Sequence, residues 1–351
     1  MSKRTLESFF KPVTPPLTKK PKPDPDSNLS STPSSFSNHS SYPHPIANLP
    51  PSIATRLDDN RTSKFKEIND KPHLDLLYFH PLIPTSTARD LFTFLRRELP
   101  FYRVQYTIQR GGQTTQINTP RFTTVFGIDA TGKFIPSKPD NGKSIEDINV
   151  NPESLVAVDA KTNQPITPSK YQYTPRPIPP CLDTLRQHVE AATGISPGSS
   201  YNFCLVNYYA TGDDSISYHS DDERFLGVNP SIASLSLGAQ RDFLLRHKPP
   251  QAGQTGISNE PLKFALASGD MVVMRGETQA NWLHSIPKRK GGEAFKGRIN
   301  ITFRRAVVPG GTNNYYTYNV GKGVVYRWDE KQQKMVAQTE NEGGVKSETE
   351  V

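Results

Sequence analysis

Cysteine is nearly absent: Cys181 and Cys204 are the only two among 351 residues. That excludes a disulfide-stapled scaffold and a zinc ribbon built on several thiolates. No apolar run approaches the roughly 18 residues of a membrane-spanning helix, and the basic N-terminus lacks the apolar stretch of a signal peptide. The composition therefore points to a soluble, intracellular chain without a membrane partner. Apolar residues are also scarce, at 34%, so part of the chain cannot bury enough surface to offset its conformational entropy. There is no internal repeat and no G-x-S-x-G nucleophile elbow. Ser137 stands where a phosphate-binding loop needs its first glycine before Gly142-Lys143-Ser144. What is abundant is proline (32), phenylalanine (17) and tyrosine (14), with a net charge of +8 that favours a polyanionic partner.

The unusual composition is concentrated at the ends. Residues 1–52 hold 11 prolines and 11 serines, and residues 328–351 hold six acidic side chains and three lysines. The first 23 residues carry +5, the last 24 carry −3, and the stretch between carries +6. The expected organisation is a disordered leader over 1–73, a folded domain over 74–309, and a polar extension over 310–351 that is disordered from 329. Within the domain, Gly, Pro, Lys and Asp mark 129–170 as an exposed insertion. Helices are predicted over Thr87–Leu99, stopped by Pro100, and over Pro179–Ala192. Short β-rich runs at 201–209, 232–237, 242–246, 262–266, 271–274 and 298–307 indicate a sandwich or barrel.

His219-Ser220-Asp221 ends one such stretch, and in an extended chain positions i and i+2 share a face. His284 follows 65 residues later. Two imidazoles and one carboxylate can hold a non-haem iron on one side and leave its other positions open. H-x-D alone is weak evidence, since eight histidines make chance pairs common. Arg298-Ile299-Asn300-Ile301-Thr302-Phe303-Arg304 then alternates polar and apolar residues. It reads either as an edge strand with a solvated basic face or as a strand whose arginines close on a dicarboxylate. Arg241, Arg246, His247 and Lys248 read either as phosphate contacts or as a solvated basic face.

The stretch 202–248, with 281–305, resembles the AlkB-type Fe(II)/2-oxoglutarate dioxygenases that repair alkylated nucleobases, through N-x-Y, H-x-D-D-E, S-L-S-L-G and H…R-x-N-x-T-x-R. The resemblance implies an α+β fold: a double-stranded β-helix (jelly-roll) core with flanking N-terminal helices and disordered tails. It implies that His219, Asp221 and His284 bind Fe(II), and that Asn207, Tyr209, Arg298, Thr302 and Arg304 contact 2-oxoglutarate. With O2, such an enzyme oxidises the N-alkyl carbon of bases such as 1-methyladenine and 3-methylcytosine in DNA. Formaldehyde is released and 2-oxoglutarate is decarboxylated to succinate. Tyr173, supported by Tyr171, matches the place where relatives stack an aromatic pair on the base, and Asp222 the place where they contact it. Tyr106-Thr107-Ile108 replaces the Phe-Gly finger of duplex-acting relatives, with Tyr106 or Ile108 the substitute wedge. An RNA or protein demethylase of the same fold, and a non-catalytic nucleic-acid-binding module, are the competing readings.

Lys3-Arg4-Thr5-Leu6-Glu7-Ser8-Phe9-Phe10 resembles the peptide that docks on the sliding clamp PCNA, with Leu6, Phe9 and Phe10 as its apolar anchors on one helical turn. Lys19-Lys20-Pro21-Lys22 fits a nuclear import signal. Together these imply a nuclear, clamp-associated monomer.

Overall fold

The computed structural model describes residues 36–59, 64–137, 155–221, 223–249 and 260–338. β1 (Phe36–Ser37) and β2 (Ile46–Ala47) pair antiparallel and lead into α1 (Pro51–Asp58). Pro51 occupies the first helical turn, where a missing N–H costs nothing. Tyr42, Ile46, Ile53 and Leu57 are buried in the main apolar cluster. The expected leader over 1–73 is thereby corrected, because residues 36–58 belong to the fold. Averaging composition across serine- and proline-rich sequence concealed four apolar anchors. Leu57→Ala is expected to cost at least about 2 kcal/mol of stability, read as a lower denaturation midpoint. An unchanged midpoint would return the segment to the status of a loose leader.

β3 (Phe65–Ile68) is an edge strand paired with β4 (Leu76–Phe79). α2 (Thr85–Glu98) follows Pro84 and buries Ala88, Leu91, Phe92 and Leu95, the predicted 3.6-residue stripe. β5 (Phe101–Tyr102) leads to a polar hairpin, β6 (Gln105–Arg110) and β7 (Gln113–Asn118). Its turn is Gly111-Gly112, both at positive φ, as a two-residue hairpin loop requires. β8 (Phe122–Gly127) is buried throughout. In the expected insertion, β9 (Gly132–Pro136) and β10 (Leu155–Asp159) form a second hairpin, with 138–154 outside the described residues. α3 (Pro180–Thr193) ends at Gly194, whose left-handed φ of 68° caps the helix.

Eight strands then divide between two sheets, crossing from one to the other at every step but the hairpin of Arg241–His247 and Leu262–Leu266. β11 (Phe203–Tyr209), β13 (Ile232–Gly238), β16 (Met271–Met274) and β18 (Arg298–Arg304) lie in a ten-stranded sheet in the order β11-β18-β13-β16. β12 (Ile216–His219), β14 (Arg241–His247), β15 (Leu262–Leu266) and β17 (Trp282–Ile286), the last preceded by the short helix α4 (Thr278–Asn281), form the four-stranded sheet β12-β17-β14-β15. All these pairings are antiparallel. Two antiparallel sheets exchanging successive strands make a jelly-roll core. β18 is central rather than an edge: Asn300 pairs with Asn207 on one side and Ser236 on the other. Its Ile299, Ile301 and Phe303 pack into one apolar cluster with α2 and α3. The polar face of β18 therefore points between the sheets.

The C-terminal expectation is also corrected. α5 (Asn313–Asn319) is followed by a hairpin of β19 (Val325–Asp329) and β20 (Lys334–Ala337), which extends the large sheet beyond β5. Trp328 and Met335 pack on the core, so residues 329–337 are structured despite their polar composition. No helix among the described residues is long and apolar enough to cross a membrane.

Candidate active site

Strand register brings the histidines together. His219 on β12 is the direct cross-strand partner of His284 on β17, and their ring centroids lie 4.2 Å apart. Asp221, two residues past β12, places Oδ2 3.8 Å from His284 Nε2. One ligand atom from each of the three residues lies within 4.8 Å of the others. Burial pushes the Asp221 carboxyl up, yet Arg304, His284 and His219 outweigh burial and hold it at about 2. Burial and His219 push His284 down to about 3. An ionised carboxylate and an unprotonated imidazole are the forms that coordinate a metal.

The layer around Asp221 fixes it from three directions. Its N–H donates to Gln279 Oε1 at 2.8 Å, and Arg304 Nη2 donates to its Oδ2 at 3.2 Å. The Tyr315 hydroxyl lies 3.4 Å from Oδ1, and donates to Glu223 at 3.1 Å. Arg304 Nη1 in turn donates to Tyr315. Burial opposes the charge on Arg304, but Asp221 foremost, then Tyr315 and Glu223, keep it above the usual arginine range.

A polar cavity opens beside the triad, lined among others by Asn207, Tyr209, Arg298, Thr302 and Arg304, the full set expected at the co-substrate. Arg298 is 1% exposed. Its Nη2 donates to Ser236 at 2.9 Å, while Nε and Nη1 are buried without a hydrogen-bond partner. Burial lowers Arg298 to about 10. Asn207 accepts from Arg121 Nε at 2.8 Å, and Thr302 donates to the Leu205 carbonyl at 3.1 Å. A buried guanidinium with free donors is an anion site, and a dicarboxylate fits the donor set. The triad fits iron.

A second cavity of about 310 Å³ reaches the same triad from outside. Tyr106 lines it, together with His219, Asp221 and Glu223. Tyr106, on β6, is thus a wall residue of this cavity. The other two aromatic expectations fare differently. Tyr171 is buried and donates to Asp129 at 2.8 Å, so it staples a turn away from the cavity. Tyr173 packs against the apolar cluster between the sheets but stands outside the cavity wall. The segment follows a 3-10 turn at Pro168–Lys170 and is not a strand, so positions i and i+2 need not share a face. Asp222, the clamp-like peptide with Leu6, Phe9 and Phe10, and residues 19–22 lie outside the described residues.

Sequence reasoning missed Glu223, Gln279, Arg121, Tyr315 and Tyr318. Extending the i, i+2 argument from Asp221 would have reached Glu223. The Tyr315-Tyr316-Thr317-Tyr318 run was the available signal for α5. Two members of the basic cluster, Arg241 and His247, are buried. Arg241 is neither a phosphate contact nor a solvated face, because it is buried and donates to the carbonyls of Asp214 at 2.8 Å and Pro287 at 2.7 Å. His247 is buried, and the Arg246 guanidinium sits 4.3 Å from the Tyr218 ring centre.

Comparison with known proteins agrees with this geometry. Human DNA oxidative demethylase ALKBH2 is 38% identical over 135 residues, which are 38% of this chain and 49% of that protein. The bovine form is 39% identical over 132 residues, 38% and 45% of the two chains. Human alpha-ketoglutarate-dependent dioxygenase alkB homolog 3 is 40% identical over 142 residues, 40% and 48% of the two chains. The chain spans about half the length of the curated relatives it matches. The family model of the 2OG-Fe(II) oxygenase superfamily matches residues 75–304, from the start of the large sheet's β4 through the last arginine of β18. Well over half the chain, including the triad and every co-substrate candidate, lies in that match, and the chain belongs to the 2OG-Fe(II) oxygenase superfamily.

Proposed function

We propose that this chain is an AlkB-type oxidative demethylase of N-alkylated bases, such as 1-methyladenine and 3-methylcytosine, in DNA. The observation that carries the reading is one His-Asp-His set flanked by two different cavities. One is lined by buried arginines and the other by tyrosines. His219, Asp221 and His284 would hold Fe(II), which with O2 and 2-oxoglutarate would supply oxidation of the alkyl carbon, leaving succinate and carbon dioxide.

This chain's own residues do the rest. Arg298 takes a carboxylate of the co-substrate through guanidinium N–H donors left free inside the protein, with Ser236 orienting the group through Nη2. Asn207, Tyr209 and Thr302 complete that cavity, and Arg304 keeps Asp221 ionised. Glu223 faces the outer cavity, where a carboxylate favours a cationic alkylated base over its neutral parent. Burial of the inner cavity's polar groups excludes water from the co-substrate. The leader completes the proposal: residues 3–10 dock on the sliding clamp and 19–22 direct the chain to the nucleus, where it acts as a monomer.

The test is anaerobic loading with Fe(II) and 2-oxoglutarate, then O2 and an oligonucleotide carrying 1-methyladenine or 3-methylcytosine. Succinate, formaldehyde and restored base should appear together. DNA affinity with no formaldehyde and no restored base would sink the proposal in favour of a binding module.

A further inference from the structure

The family match ends at Arg304, yet one side of the outer cavity is built by residues beyond it: Asn314, Tyr315, Tyr318 and Asn319, all on α5. This helix is seated firmly. The Tyr316 hydroxyl donates to the Gly127 carbonyl at 2.9 Å and accepts the Arg176 N–H at 2.8 Å. Thr123 donates to the Asn319 carbonyl at 2.7 Å. With Tyr316 pinned inward, Tyr315 and Tyr318, three positions apart and so on one helical face, both line the cavity.

The two tyrosines are used differently. Tyr315 is buried and committed to Glu223, Asp221 and Arg304. Tyr318 is 46% exposed, and its ring meets that of Tyr106 edge-on, with centroids 4.9 Å apart and planes at 61°. A ring left half open at the mouth of a cavity, braced by a second ring, offers a flat surface to an incoming planar group. The negative faces of such rings attract a cation, and Glu223 adds an acidic group to the same wall.

We propose that Tyr318 is a substrate-binding residue: with Tyr106 it forms the aromatic wall against which the displaced, positively charged alkylated base is held. The proposal rests on the reading of the substrate as an alkylated nucleobase, and it assigns base selection partly to a helix outside the matched family region. It accounts for an exposed aromatic on a helix whose neighbouring tyrosines are buried.

The experiment measures anaerobic binding of the full chain, loaded with Fe(II) and 2-oxoglutarate, to two single-stranded oligonucleotides. One carries a single 1-methyladenine, and the other is identical but unmodified. In Tyr318→Ala, the preference for the lesion should fall at least about fivefold, the lower end of what one base–aromatic contact contributes. Tyr318→Phe should keep it. An unfolding midpoint matching wild type confirms that Tyr318→Ala is folded. Equal weakening on both oligonucleotides, or a preference changed less than twofold, overturns the assignment of Tyr318. A wild-type protein without any preference for the lesion overturns the alkylated-base reading itself, and this assignment with it.

Discussion

Replacing Arg304 with methionine should cost about 3–5 kcal/mol of stability in the metal-free protein, the usual penalty for removing one partner of a buried ion pair. Arg304 is 2% exposed, and Asp221 is its carboxylate partner at 3.2 Å, itself buried. Methionine fills similar volume but supplies no charge, so Asp221 would be left ionised with only the Tyr315 hydroxyl and the histidines around it. The carboxylate's alternative is to take up a proton, which removes it as a metal ligand. Two measurements separate this account from a simple packing defect. Adding Asp221→Asn to Arg304→Met should recover much of the lost stability, since neither charge is then buried alone. A divalent cation at the triad should also narrow the gap between wild type and Arg304→Met. An unfolding midpoint within about a degree of wild type in chelator would show that the pair does not carry this weight.

How far this site was readable before the fold was known depended on which property each residue's role needed. The alternation in 298–304 was legible, and the structure keeps Arg298, Asn300, Thr302 and Arg304 on one face. Whether that face met water or a cavity was not legible, because a solvated edge and a polar interior present the same pattern. Only pairing with β11 and β13 on either side decides it. Likewise, His219 and Asp221 were near in sequence, but nothing local placed His284 opposite them. Its cross-strand register with His219 is a product of the whole sheet. Family resemblance supplied that missing long-range information, and it reached less far outside the strands that carry its motifs. Tyr171 was matched by position but is occupied by Asp129. Tyr315 and Tyr318 lie on a helix after the match.

The two terminal corrections have one physical cause. Residues 36–58 and 325–337 are polar on average, yet each offers a few apolar side chains at sites where the core is unfinished. Ile53 and Leu57 pack into the main cluster, and Trp328 joins Arg96 across a cation–π contact of 3.6 Å. A composition window weighs all side chains equally, whereas burial uses only those that reach the core. Short segments that add to an existing sheet or helix layer need few such contacts, because the rest of the domain already bears the cost of organising the surface they meet.

Arg298 should behave in the opposite way to Arg304, although both are buried arginines on one strand face. Arg304 has its counter-charge inside the protein, whereas Arg298 has a hydroxyl from Ser236 and two buried donors with no partner. Burial pulls its pKa down to about 10, which means the fold holds this charge at a cost. Arg298→Met is therefore expected to leave the unfolding midpoint of the ligand-free protein unchanged or raise it. The same change should abolish most of the affinity for 2-oxoglutarate. Losing a buried charge-assisted pair costs about 2–4 kcal/mol, or roughly thirtyfold to several hundredfold in Kd. Arg298→Lys should recover little, because an ammonium is a point charge and cannot present two parallel N–H groups to a carboxylate. Thermal unfolding with and without 2-oxoglutarate reads both effects at once, since a ligand that binds only the folded state raises the midpoint in proportion to ln(1 + [L]/Kd). A 2-oxoglutarate-induced shift that survives in Arg298→Met, or a ligand-free midpoint lowered as far as in Arg304→Met, would show that this guanidinium is structural rather than a waiting anion site.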